Sequence, residues 1–406
     1  MGKYSLLLAF SVSFTLLILG RNQNRSAVEA YRNFLTYHAK TTAHNIAVSG
    51  ATMSSNALFL NSAWNNGFYK RTLSGGEFTS TIVDVPGTPR KKITSVSSYF
   101  APDSTYSDTV IVLLQPSGFG KYAYYSVVEG AINWTKVDTV WGPFHTQDKM
   151  TVNIRPVFFG KVTNNKGLYK NPSSSQPQFL GGYQTGVNIP LPTSSLNTIR
   201  AAAQAGGKYL FNMDLLLTFN ADSTVTYKEG GGPTLTMLLS NYAPNGVICV
   251  DRGEIRTKGT CAGRVTICAM GTSPDGRIWL DDDIKYRFDP RDLPGAKNIL
   301  GIVAENEIFI DENAQNNNDI IVQAAIFSLK KGFGAEHYDS RPVSGTIFLL
   351  GGITQYQRQA VGTINTSTGK VLSGFAKNYK YDTRLMTDAP PYFPTTGTFE
   401  IVAWRE

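Results

Sequence analysis

The sequence predicts an α+β protein in which a long N-terminal hydrophobic helix lies on a four-stranded antiparallel meander and a parallel β-helix (solenoid) domain follows. Three observations predict it: an uncharged apolar run from Tyr4 to Gly20, β-branched runs separated by turn clusters up to residue 130, and short apolar runs that recur from Val247 onward. With 42% hydrophobic and 17% charged residues, the 406-residue chain has the composition of a folded protein of two or three domains.

The N-terminal apolar run is preceded by Lys3 and followed by Arg21 and Arg25. A secretory signal has a basic start, a short apolar stretch and a small-residue cleavage site, and the sequence after Gly20 lacks a convincing site of that kind. The run is also just long enough for a short membrane-spanning helix. A cleaved signal, a retained anchor and the packing core of an assembly are therefore the alternatives. The side chains predicted to lie in a membrane or filament core are Tyr4, Leu6, Leu7, Leu8, Phe10, Val12, Phe14, Leu16, Leu17, Ile18 and Leu19.

The apolar run continues into an amphipathic helix that is predicted to end near Gly67. From Ser26 onward one set of residues recurs at steps of three and four, which is the spacing of one helix face. This set is Ala27, Ala30, Phe34, Tyr37, Thr41, His44, Ala47, Val48 and Ala51. A cleaved signal has no need to be in phase with the helix behind it, so the spacing favours a segment that stays attached.

A helix that is apolar all round in its first half and striped in its second half resembles the stem of type IV pilins and the related pseudopilins. The resemblance implies cleavage after Gly2 by a prepilin peptidase, which makes Lys3 the first mature residue. That family usually has Phe or Met first and Glu fifth, whereas this sequence has Lys3 and Leu7. The resemblance further implies a single pass through an inner membrane, periplasmic or extracellular C-terminal domains, and assembly with other pilin-like subunits in a type IV pilus or type II secretion system.

The segment after the helix contains four runs rich in β-branched and aromatic residues: FTSTIVDV, KKITSVSSYF, SDTVIVLLQP and KYAYYSVVEG. The short turn clusters between them favour antiparallel neighbours. The resulting meander resembles the head of a minor pilin. The predicted division of the chain is therefore an anchor at 1–25, a stalk helix at 26–67 and this head at 68–135.

The C-terminal half has short apolar runs that Gly or Asn introduces or follows, without helical spacing. They are GVICV, GRVTICAM, GRIWLDDDI, NILGIVAENEIFI, NDIIVQAAIFSL and GTIFLLGGI. Repeated short strands of this kind predict a parallel β-solenoid at 136–392. Residues 166–245 are predicted to form an insertion out of the coil, and residues 393–406 a closing segment. The region resembles uncharacterised β-helical domains attached to pilin-like stalks.

The run Asp281, Asp282 and Asp283 is the sharpest candidate for chemistry. Alternate residues of a strand share a face, so Asp281 and Asp283 could cooperate while Asp282 could not. Calcium binding, acid–base catalysis on a polysaccharide and a solvated turn are the alternatives. The turn explains the run equally well, so no catalytic residue and no cofactor is predicted, and Asp281 and Asp283 remain weak calcium candidates.

The histidines and cysteines form no recognisable site. His38 and His44 lie six residues apart, unlike the i, i+4 spacing of a metal pair, and His145 and His337 are predicted to be structural. The cysteines lack the C-x-x-C pairs of a zinc site and are predicted to be small buried hydrophobes, with one disulfide possible in an exported domain. They are Cys249, Cys261 and Cys268.

The composition limits the partners. The formal charge of +8 favours anionic surfaces, but the basic residues are scattered, so no nucleic acid partner is predicted. The 12% aromatic content suits either a stacked interior or a surface that adheres to polysaccharide. Two functions follow: a non-catalytic, envelope-anchored pilin-like protein that displays a β-helix on a helical stalk in a structural or adhesive role, or an exported carbohydrate-active enzyme of lyase or hydrolase type.

Overall fold

The computed structural model describes residues 2–86, 88–136, 138–192, 195–365, 368 and 370–406. The chain divides into two compact units. The first unit consists of Met1–Pro116 with Gly397–Glu406, and the second of Ser117–Thr396. The chain therefore leaves the first unit after Pro116, earlier than the predicted boundary at 135, and returns to it for its last residues.

The α-helices of the described residues are α1 (Gly2–Leu60), α2 (Ser195–Gly206) and α3 (Leu239–Tyr242). The strands before α2 are β1 (Phe68–Leu73), β2 (Gly76–Asp84), β3 (Lys91–Phe100), β4 (Thr105–Gly118), β5 (Tyr124–Val128), β6 (Thr139–Val140), β7 (Phe144–Thr146), β8 (Met150–Val152), β9 (Val157–Phe158), β10 (Val162–Asn164), β11 (Leu168–Lys170), β12 (Gln178–Phe179) and β13 (Tyr183–Thr185). Those from α2 to Ala304 are β14 (Lys208–Phe211), β15 (Leu215–Phe219), β16 (Thr224–Glu229), β17 (Thr234–Leu238), β18 (Val247–Asp251), β19 (Ile255–Cys261), β20 (Arg264–Met270), β21 (Ile278–Tyr286) and β22 (Ile299–Ala304). The remaining strands are β23 (Ile308–Ile310), β24 (Ile320–Ser328), β25 (Phe333–Ala335), β26 (Val343–Gln357), β27 (Gly362–Ile364), β28 (Val371–Tyr381) and β29 (Thr395–Arg405).

In the first unit, the second half of α1 packs on an antiparallel sheet through small side chains. Its buried positions follow steps of three and four and are Ala39, Ala43, Ile46, Ala47, Gly50, Ala51, Ser54, Ser55 and Leu58. A Cβ added at Gly50 would lie 2.5 Å from the ring of Phe78, so glycine lets the helix approach the sheet closely. The predicted stripe is partly displaced, because Tyr37 and Thr41 are exposed and burial begins at Ala39.

The sheet of the first unit has the strand order β1-β2-β3-β4-β29. Strands β2, β3 and β4 match three of the four predicted meander strands. The fourth predicted run, at 121–130, instead contains β5, which lies in the second unit and pairs in parallel with β7 and β26. Its Tyr124 and Tyr125 are both buried, which suits a strand covered on two faces. The sheet takes β1 and the C-terminal β29 instead, and α1 ends at Leu60 rather than near Gly67.

The second unit is a large β domain with many parallel strands. We call one continuous parallel series the first ladder, and its spatial order is β14-β18-β20-β22-β24-β26-β5-β7-β10-β13. Identical side chains stack along it at buried, directly paired positions, namely Ile248, Ile267, Ile302, Ile326 and Ile353. Each fully buried isoleucine contributes about 1.5–3 kcal/mol of transfer free energy, so this row is a main source of the domain's stability.

The chain enters the first ladder in its middle. It starts at β5, proceeds to β13 at one end, resumes with β14 at the other end and returns to place β26 on β5. The connection between the two ends includes α2, whose Leu196 and Ile199 are buried in a cluster with Cys249 and Cys268. The predicted insertion at 166–245 is therefore largely part of the parallel stack, since β13, β14 and β15 all pair with strands outside that segment or across it.

A second ladder runs beside the first in the order β15-β19-β21-β23-β25. Its directly paired buried side chains are Leu215, Ile255, Ile278, Ile308 and Phe333. They share one apolar core with the inward row of the first ladder. The local sequence explains why these segments form buried strands. β-branched side chains fit the pleated surface of a strand that is covered by the adjacent strands of its own ladder and by the opposite ladder.

The three cysteines are buried and carry free thiols. Cys249 and Cys268 are paired positions of β18 and β20, and Cys261 ends β19. Burial raises the pKa of the Cys261 thiol to about 12, so this thiol stays protonated at neutral pH. The cysteines therefore act as small apolar side chains, as the sequence predicts.

Candidate functional site

The first candidate site is the N-terminal half of α1. Its apolar side chains are between 43% and 85% exposed and comprise Tyr4, Leu6, Leu7, Leu8, Phe10, Val12, Phe14, Leu16, Leu17, Ile18 and Leu19. The helix is long and apolar enough to span a membrane. The residues of the predicted processing site, Gly2 and Lys3, form its first turn. Exposed apolar area of this size on a folded protein indicates contact with lipid or with another protein.

The two weak calcium candidates, Asp281 and Asp283, both lie on β21 and contact different partners. The carboxylate of Asp281 contacts Nη2 of Arg256 at 2.7 Å. The same guanidinium nitrogen lies 2.8 Å from Oδ1 of Asp311, so Arg256 joins two carboxylates. A guanidinium between carboxylates neutralises them without a metal ion.

Asp283 has partners of its own. Its Oδ1 accepts a hydrogen bond from the backbone N–H of Ile321 at 2.8 Å, and its Oδ2 lies 3.0 Å from Nζ of Lys285. In the described part of the chain, His, Cys, Asp and Glu side chains form no group of three that could hold a metal ion. The two carboxylates therefore act as anchors between neighbouring strands.

Calcium is expected to leave the melting temperature of the protein unchanged. The lone pairs that a calcium ion would need are used by Arg256, Lys285 and the Ile321 amide. By contrast, Asp281→Asn should destabilise the second unit by about 0–1 kcal/mol, because it weakens a partly exposed ion pair. Thermal unfolding with calcium chloride and with a chelator measures both effects, and a calcium-dependent rise that Asp281→Asn removes would restore the metal interpretation.

The histidines do not converge. His44 Nδ1 lies 2.7 Å from Oδ2 of Asp108 in the first unit, and the largely exposed His337 lies 2.6 Å from Glu312 in the second. His145 is fully buried, and its Nδ1 lies 2.7 Å from Oγ1 of Thr163. Each histidine with a described partner is therefore held by a structural contact.

Stability of the second unit should fall in mild acid because of His145. Burial lowers the pKa of this imidazole from 6.5 to about 4. The unfolded chain binds the proton at its ordinary pKa, so the stabilisation is complete above about pH 6.5 and declines towards pH 4, by up to about 3 kcal/mol. Urea unfolding at about pH 7 and about pH 4.5 should show a smaller acid loss for His145→Gln than for the parent. Equal losses would contradict this assignment.

The second candidate site is a groove of about 1050 Å³ in the second unit. It runs along the outward face of the second ladder, where Trp279 of β21 is paired with Phe309 of β23. The groove is also lined by Tyr338, Gln357, Gln359 and Lys377. A large concave surface with aromatic and polar groups is the ordinary form of a ligand site.

A buried ion pair lies under one side of this groove. Nη1 of Arg358 donates to Oε2 of Glu129 at 3.2 Å, and the two side chains are only 4% and 2% exposed. The indole N–H of Trp134 donates to the same carboxylate oxygen at 2.7 Å, and the Arg358 guanidinium lies 3.9 Å from the centre of the Trp134 ring. This network fixes the loop after β5 against the end of β26.

A second pair lies at the groove surface. Nζ of Lys377 is 3.6 Å from Oδ1 of Asp138, whose other oxygen accepts from the backbone N–H of Thr135 at 2.7 Å. Burial alone would raise the pKa of Asp138, but Lys377, Arg358 and the Thr135 hydrogen bonds hold this pKa below its ordinary value. Asp138 is therefore a carboxylate at neutral pH.

Sequence reasoning missed the groove and the ion pairs beneath it. Arg358 and Glu129 are separated by 229 positions in the sequence. No local spacing signals such a contact, because the path of the chain through the first ladder brings β26 onto β5. Family models, curated proteins and solved structures give no match to this chain.

Proposed function

We propose that this chain is a non-catalytic pilin-like protein of the cell envelope, anchored by its N-terminal helix and displaying a parallel β-helix. One observation carries the proposal: α1 is a single continuous helix whose exposure changes along its length. Its described side chains are exposed up to His38, apart from the half-buried Thr36, and from Ala39 onward a stripe of them is buried. A free apolar half followed by a half packed on an antiparallel sheet is the organisation expected of a pilin-like stem.

The apolar half requires an apolar environment. Seventeen residues from Tyr4 to Gly20 carry no charge, and the first acidic residue of the chain is Glu29. Backbone polar groups in a helix are satisfied internally, so such a segment is stable in lipid or among similar helices. Retention in the inner membrane, with assembly among pilin-like subunits or a secretion apparatus, accounts for this surface.

The second unit supports a display role. Along much of its length, strands of the first ladder pair with the next strand but one in the sequence, as in β18-β20-β22-β24-β26. This pairing supports a coil that returns once per turn, and the parallel β-helix is part of the proposal on that ground. Its stacked apolar interior makes a rigid body suited to presenting a surface outside the membrane.

The alternative function, an exported carbohydrate-active enzyme, depends on Asp281 and Asp283 as its acidic residues. Arg256 contacts one carboxylate and Lys285 the other, and this pairing with different cations argues against their use as an acid–base pair. The packing of both residues favours the structural role.

The proposal is tested at the N-terminus of the mature protein. Mass spectrometry of the N-terminal peptide from membrane, soluble and sheared-surface fractions should find a chain that begins at or near Lys3 in membrane or sheared material. A chain that begins beyond Gly20 in the soluble fraction would show that the apolar half is a discarded signal. Substitution of Gly2 by a bulky residue is the matched control, because it should block processing without removing the anchor.

A further inference from the structure

We propose that the groove of the second unit binds a neutral oligosaccharide. The inference extends the proposed display role. It rests on that role only for the location, outside the membrane, at which the protein would meet the oligosaccharide. The volume of the groove, about 1050 Å³, lies just above the roughly 300–1,000 Å³ typical of small-molecule sites. The groove is therefore sized for several linked rings.

The charge of the lining argues against an anionic ligand. The charged side chains that border the groove are Arg277, Arg358 and Lys377 against Asp138, Glu336 and Asp339, and His337 also lines it, with its Nδ1 2.6 Å from Glu312. The cations are also engaged, since Arg277 contacts Glu307 at 3.3 Å and Lys377 contacts Asp138 at 3.6 Å. Although the whole chain carries a formal charge of +8, this surface offers no excess of positive charge. A ligand with hydroxyl groups suits such a balance better than a carboxylate or phosphate.

Amide side chains supply both donors and acceptors. Asn133, Gln357 and Gln359 all line the groove, and among the described residues no hydrogen-bond partner is found for their side-chain amides. Gln359 is held in place over Gly334, where an added Cβ would come within 2.8 Å of its Oε1. Each amide offers one oxygen acceptor and two N–H donors, which matches the hydroxyl groups of a sugar.

Aromatic side chains supply apolar faces. Phe309 is half-buried and Tyr338 is 38% exposed, whereas Trp279 is buried and packs on Phe309 with the two ring centres 5.5 Å apart. An aromatic ring combines a flat apolar face with little conformational entropy to lose on binding. The C–H faces of a sugar ring can pack on these surfaces while its hydroxyl groups meet the amides.

Binding is tested with the full-length protein in a detergent that has no sugar headgroup. Isothermal calorimetry should detect saturable binding of at least one of four neutral hexasaccharides: cellohexaose, maltohexaose, xylohexaose and chitohexaose. Tyr338→Ala and Phe309→Ala should each weaken that binding about tenfold, which corresponds to about 1.4 kcal/mol. Phe348→Ala is the matched control, because Phe348 is 39% exposed and lies outside the groove lining.

Three results would overturn the proposal: no binding of any neutral hexasaccharide, binding of hexagalacturonate alone, or neutral binding that both groove variants leave unchanged. Hydrogen exchange of each variant is the control that tests whether the second unit remains folded. The outcome is independent of the anchor, because a protein that binds sugar yet begins beyond Gly20 loses the anchor proposal alone. A correctly anchored protein that binds no neutral sugar loses the groove proposal alone.

Discussion

Arg358→Met is expected to destabilise the second unit by about 3–5 kcal/mol, because it leaves the carboxylate of Glu129 buried without its cation. Glu129 is 2% exposed, and within the described residues its carboxylate would keep the contacts with Ser126 and with the Trp134 N–H, the latter at 2.7 Å. The variant also removes the guanidinium from the face of the Trp134 ring. Hydrogen exchange of peptides from β26, in full-length protein held in detergent, measures the free energy of unfolding where the pair acts.

The control for this prediction is Arg291→Met. Arg291 contacts Asp289 at 2.5 Å, but its side chain is 51% exposed, so loss of this pair should cost only about 0–1 kcal/mol. The double variant with Glu129→Gln and Arg358→Met should be more stable than Arg358→Met alone, because the unpaired buried charge is gone. A similar loss in the Arg291 and Arg358 variants, or no recovery in the double variant, would refute the importance of the buried pair.

Arginine at both Leu8 and Val12 is expected to release the protein from the membrane. These side chains are 69% and 51% exposed and lie in the middle of the apolar run. Each arginine near the centre of a spanning helix costs about 2.5–3.5 kcal/mol of insertion free energy, so the two together abolish stable anchoring. Carbonate washing of membranes followed by immunoblotting measures the retained fraction.

The matched control carries arginine at Tyr31 and Leu35. These positions have the same spacing on the same helix, are 63% and 45% exposed, and lie outside the apolar run. The control protein should remain in washed membranes. If the Leu8 and Val12 variant is retained equally well, the apolar half of α1 does not anchor the chain in lipid.

Local sequence was sufficient to predict the long helix and most strands. An uncharged apolar run followed by residues at helical spacing leaves few alternatives to a helix, and β-branched runs between turn residues favour strands. These signals act between residues close in sequence. For that reason three strands of the first-unit sheet and the β-rich character of the second unit could be predicted.

Tertiary structure decided which strands are neighbours. The run that contains β5 has the local features of a meander strand, yet its buried Tyr124 and Tyr125 place it between β26 and β7. Likewise, nothing near residue 395 in the sequence indicates that β29 joins the sheet of the first unit. The backbone hydrogen-bonding groups at the edge of a strand can pair with many other strands. The packing of side chains on both faces therefore determines which strand becomes the neighbour.

The sequence by itself determined that the chain has an apolar anchor-like helix and a β-rich remainder, because both depend on the periodicity of neighbouring residues. Only the tertiary structure assembled the groove and the Arg358–Glu129 pair beneath it, and gave Asp281 and Asp283 different cations. The physical reason is the path of the chain through the first ladder. That path joins residues hundreds of positions apart, and the free energy of such contacts depends on burial that no local pattern records.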